Sequence, residues 1–84
     1  MHDLHAADHI LQHVIEAAEE NKLKKVTKIT VELGTIIEHG EEINASNLKF
    51  LLTKLAEKTI AAGAKIEIKK IPGADWKLVS IDGE

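Results

Sequence analysis

LKFLLTKLAEKTIAAGAKIEI, residues 48–68, sets down a helix, its stop and a strand in one unbroken run. Leu48, Leu51, Leu52, Leu55 and Ile60 recur at helical spacing, so one face of this segment is apolar. The stripe predicts a helix that begins at Ser46 or Asn47 and reaches Ala62. Gly63 then stands where a left-handed C-terminal cap belongs. Immediately afterwards the period changes to two, and Ile66 and Ile68 face inward from a strand. A strand–helix–strand unit needs an earlier strand. KKVTKITVELG, residues 24–34, supplies it: Ile29, Val31 and Leu33 alternate with Lys28, Thr30 and Glu32.

Outward from this unit, Leu4, Ala7, Ile10, Leu11, Val14, Ile15 and Ala18 give a first amphipathic helix, from Leu4 to about Glu20. Asp3 is its expected N-cap, and Asn21-Lys22 its end. Residues 35–44, TIIEHGEEIN, read as a loop. Pro72-Gly73 makes a turn into WKLVSI, a third strand whose Leu78, Val79 and Ile81 do not share one parity. The order is helix, strand, helix, strand, strand. Strand–helix–strand favours a parallel pair, and the short turn after it an antiparallel one. The expected class is α/β in the α+β sense. Two helices pack on one face of a small mixed three-stranded sheet.

The chain has 84 residues, 44% of them hydrophobic and 30% charged, with a net charge of −3. That is one globular domain, residues 1–84, with a modest aliphatic core. Scattered basic residues argue against nucleic acid. No apolar run approaches a membrane span or a leader sequence, so the cytoplasm is the expected location. There is no cysteine, which removes disulfides, thiolate nucleophiles and sulfur-ligated structural zinc. An enzyme is not expected. Ser46 reads as a helix cap and Ser80 as a strand residue, and no phosphate-cradling loop is present.

The chemistry concentrates at Met1-His2-Asp3. The α-amino group of Met1, the backbone nitrogen of His2 and the His2 imidazole can close fused chelate rings on one ion. Amine and imidazole nitrogens suit nickel(II) and copper(II), and a backbone nitrogen favours square-planar geometry. His2, His5, His9 and His13 are spaced three, four and four, within a wedge of ~80° roughly opposite the apolar stripe. For His5, His9 and His13 two readings stand: a solvated polar face, or a secondary divalent-metal site, since histidines four apart can share a metal. His39 reads as an exposed loop residue, and less readily as a further ligand.

Four segments together resemble the HypA/HybF nickel-insertion family: MHDLHAADHILQHVIEAAEE, VTKITVELG, LKFLLTKLAEKTIAAGAKIEI and WKLVSIDGE. Members of that family open with Met-His-Glu and carry nickel at that terminus. They deliver it to a maturing NiFe hydrogenase together with a GTPase, HypB. The resemblance implies a nickel metallochaperone for hydrogenase maturation, with nickel(II) held by Met1, His2 and Asp3. The implied partners are HypB and the hydrogenase large subunit, and the chain itself is a monomer or homodimer. Position three is Asp here where the family usually has Glu. The family also carries a zinc domain with paired CxxC motifs between its last two strands. Here that domain is absent between Ile71 and Trp76, so no structural zinc is expected. The competing expectation is a degenerate HypA-like interaction module that has lost metal transfer, and nickel titration separates the two.

Overall fold

The computed structural model describes the backbone of all residues except 1, 36, 39 and 40, and the side chains of residues 4–35 and 43–84. Its elements run α1 (His2–Glu20), β1 (Val26–Leu33), β2 (Ile37–Glu38), β3 (Glu41–Glu42), α2 (Ala45–Ala56), β4 (Lys65–Lys70) and β5 (Trp76–Gly83). β1 is central in a three-stranded sheet of order β4-β1-β5, parallel to β4 and antiparallel to β5. α1 packs on α2 and β5, and α2 on β4, so both helices cover one sheet face. The expected architecture is the one found.

Alternation in β1 explains its central place. Ile29 sits between Ile66 and Ile81, and Val31 between Ile68 and Leu78, in two rows that meet the helices. Ile29, Val31 and Leu33 are fully buried, together with Ile10 and Val14 of α1 and Leu48 and Leu52 of α2. The opposite face is polar and mostly solvated, with Thr30 buried at its centre. Lys28 and Glu67 approach to 3.7 Å there, both partly exposed, and such pairs contribute little.

The irregular parity of β5 has a structural cause. Thr30 pairs with Ser80 and Val31 with Leu78, which leaves Val79 as an extra residue in a bulge. The bulge turns Val79 outward, where it is 47% exposed, and lets Trp76, Leu78 and Ile81 share the inner face. A second irregularity at Thr27, between the pairs Val26–Gly83 and Lys28–Asp82, brings Val26 into the core as well.

Several expectations need correction. The antiparallel pair forms, but β5 pairs with β1 rather than with β4, which precedes it. The connection between β4 and β5 instead passes over the end of β1. Ile71 N–H donates to the Leu33 carbonyl at 3.0 Å, Gly34 N–H to Asp75 at 2.8 Å and Thr35 N–H to Gly73 at 2.8 Å. Part of the expected loop over residues 35–44 is a small antiparallel pair, β2 with β3, and Ile43 just beyond it is buried.

α2 is capped by Asn44, not Ser46. The Asn44 side-chain oxygen accepts the N–H groups of Ser46 and Asn47 at 2.8 and 3.1 Å. α2 also ends at Ala56, short of Ala62. The Thr59 hydroxyl donates to the Ala56 carbonyl and accepts the Ala61 N–H, so it competes with the helical ladder. A series of turns follows up to Gly63, whose φ of +77° is the left-handed conformation expected, though it closes the turns rather than the helix. Ile60 is consequently 36% exposed, and Leu4 is exposed too, so neither belongs to its stripe's buried core. α1 ends as expected at Asn21-Lys22. Leu23 N–H reaches the Ala18 carbonyl, Lys22 N–H reaches Glu19, and Lys22 adopts a φ of +57°. This is a Schellman closure with lysine at its left-handed position.

Gly34 is required by space. A β-carbon there would lie 2.6 Å from the Gly73 carbonyl oxygen and 2.8 Å from that of Asp75, both backbone atoms that cannot swing away. Gly34→Ala is therefore expected to push the connection off the end of β1 and lower stability by about 1–3 kcal/mol. Urea denaturation with an unchanged midpoint would contradict this packing.

Candidate functional site: the histidine face of α1

Helix α1 carries His2, Asp3, His5, His9 and His13. Met1 lies outside the described residues, as do His39 and the side chains of His2 and Asp3. The backbone is already helical at His2, so Asp3 stands in the first turn and is not the N-cap. The reason is that the helix gains a further half-turn ahead of its first apolar residue. One consequence bears on chemistry. The first four N–H groups of a helix have no intrahelical acceptor, so the backbone nitrogen of His2 is not committed to the helical ladder.

The three described histidines of α1 are all exposed, as the polar wedge predicts. The structure nevertheless divides them. His5 and His9, one turn apart, bring their rings to a centroid separation of 4.7 Å with a 42° tilt. His13 instead meets Trp76 edge-on, centroids 5.3 Å apart and planes at 76°, an arrangement favoured by the ring quadrupole. The stripe therefore holds a histidine pair and a separate histidine–tryptophan contact.

Neighbours of the pair come from the distant end of the chain. His5 and His9 line a pocket with Ala6, Ile43, Ala74, Asp75 and Trp76. Residues 74–76 arrive there because the connection between β4 and β5 is hydrogen-bonded over Gly34 and Thr35, and Trp76 pairs with Leu33. Asp75 is fixed locally, since its Oδ1 accepts the Trp76 N–H at 2.8 Å. Sequence reasoning missed Asp75 and Trp76 as parts of this face. No local signal marks them, because their approach depends on which edge of β1 the last strand takes. Among the described residues, no three His, Asp or Glu side chains converge as a ready-made metal cage. No helix among them is long and apolar enough to cross a membrane.

Comparison with known proteins adds a family to this geometry. The family profile described as "Hydrogenase/urease nickel incorporation, metallochaperone, hypA" matches residues 1–76. The hydrogenase maturation factor HypA of Methanothermobacter thermautotrophicus is 38% identical over 72 residues, 86% of this chain and 56% of that protein. HypA of Methanobrevibacter smithii is 39% identical over 72 residues, 86% of this chain and 54% of that protein. HypA of Caldanaerobacter subterraneus is 36% identical over 77 residues, 92% of this chain and 63% of that protein. The chain thus spans between 54% and 63% of the length of these relatives, and it contains no cysteine. A profile match over residues 1–76, together with this identity to curated relatives, makes the chain a member of the HypA family of nickel-incorporation metallochaperones.

Proposed function

We propose that this chain carries nickel(II) at its amino terminus for the maturation of a NiFe hydrogenase, with HypB and the hydrogenase large subunit as partners. One observation carries the reading: the family match begins at residue 1, so Met1-His2-Asp3 lies inside it. The donors are the Met1 amine, the His2 backbone nitrogen and the His2 imidazole, with the Asp3 carboxylate beside them. Coordination through the His2 nitrogen breaks no helical hydrogen bond, because that nitrogen belongs to the uncommitted first turn.

The same placement slightly favours release. A cation at the N-terminus of α1 meets the positive end of the helix dipole, which costs about 0.3–1 kcal/mol. That term is small beside three nitrogen donors, yet it acts in the direction of release. Protons compete for the same nitrogens, so affinity falls as the pH is lowered.

The test is an equilibrium nickel titration of the chain with Met1 as its first residue. About one ion should bind with micromolar or better affinity, which corresponds to ~−8 kcal/mol. His2→Ala removes the imidazole and one chelate ring, and should weaken binding by at least about tenfold, or 1.4 kcal/mol. A His2→Ala protein that binds nickel as tightly as the parent would overturn the reading.

A further inference from the structure

We infer that His5 and His9 bind one divalent first-row cation between their rings, as a second and weaker metal station, with the Asp75 carboxylate across the pocket supplying compensating charge. Residues four apart on a helix are surface neighbours, and these two rings already lie 4.7 Å apart. Neither ring makes a hydrogen bond among the described residues, so both keep nitrogen lone pairs for a ligand. His13, next on the same stripe, does not join them, because its ring is set against Trp76. Two of the three described histidines thus form the site, and His13 stands apart.

The opposite wall favours a cation. Asp75 lines the same pocket, and its Oδ1 is held by the Trp76 N–H, which leaves Oδ2 to accept a hydrogen bond from water on a bound ion. Ile43 and Ala74 are the apolar parts of that wall. Two imidazoles suit nickel, copper and zinc. With no third side chain converging among the described residues, water completes the coordination, and the ion exchanges readily. His5 follows His2 by three residues, a rise of about 4.5 Å along the helix. The pair can thus receive an ion from the amino-terminal site. As a relay it rests on the function proposed above, but as a metal site it does not.

The experiment uses the full chain with a Gly-Ser extension ahead of Met1, which abolishes the terminal chelate and leaves the helix face intact. Nickel(II) is titrated by calorimetry. Paramagnetic broadening of backbone NMR signals then locates the ion. One equivalent should bind, with broadening centred on His5, His9 and Asp75. His5→Ala or His9→Ala should each weaken binding by about tenfold or more, whereas His13→Ala should change it by less than about twofold. Asp75→Asn should weaken it several-fold at unchanged stoichiometry. All these positions are exposed, so the fold should survive each change. No saturable binding, or a His9→Ala protein with parental affinity, would overturn the inference. So would a His13→Ala loss as large as that of His9→Ala. A parallel titration of the unextended chain, followed by its square-planar absorption, reads the terminal site separately, so either site can fail without the other.

Discussion

Leu52→Ala and Ile29→Ala are each expected to lower the unfolding free energy by about 2–4 kcal/mol. Both side chains are fully buried, one from α2 and one from the centre of β1. Removing either leaves a void between a helix and the sheet that neighbouring aliphatic groups fill only in part, so lost transfer energy and lost packing add. Domains in general hold only about 5–15 kcal/mol of net stability, so one such cavity removes a large share. For a chain of this size the thermal midpoint should fall by about 4–8 °C per kcal/mol. Leu51 and Leu55 are only half-buried, and alanine there should cost less. Urea denaturation checks the ranking. A loss below about 1 kcal/mol at both Leu52 and Ile29 would mean that the core lies elsewhere.

The core residues named here were legible because periodicity reports burial directly. Ala7, Ile10, Leu11, Val14 and Ala18 form the buried line of α1, and Ile29, Val31 and Leu33 that of β1, as their spacing requires. Local patterns failed where a tertiary or side-chain contact overrides the period. Val79 breaks the alternation of β5 because an unpaired residue has been inserted opposite Thr30 and Val31, and pairing partners are not written locally. The Leu48 stripe runs on into Ile60, yet Thr59 diverts the backbone after Ala56. Asn44 took the cap from Ser46 because it stands at the extended residue before the helix, with φ −86° and ψ 129°.

The candidate site divides in the same way. That the histidines of α1 share one exposed face follows from their spacing alone. That His5 and His9 share a pocket with Asp75, while His13 is set against Trp76, depends on β5 returning to the free edge of β1. Residue parity within a strand does not encode that return. The close passage of residues 73 and 75 over Gly34 fixes it in three dimensions.

The largest functional effect should come from a change that touches no side chain. Adding Gly-Ser ahead of Met1 converts the Met1 amine into an amide and places the new amine two residues farther from His2. Two residues serve better than one, since a single addition would leave the new amine within reach of a different chelate with the same imidazole. The proposed donor set needs the amine and His2 adjacent, so that square-planar complex cannot form in the extended protein. Helix α1, the core and the His5–His9 pair are unaffected, so any nickel still bound occupies the weaker site. The most direct measurement is therefore nickel(II) titration of the unextended and extended chains side by side, followed by the visible absorption of the square-planar complex. The band and the tight binding should disappear together on extension. The same band with the same affinity in both chains would contradict a terminal nickel site.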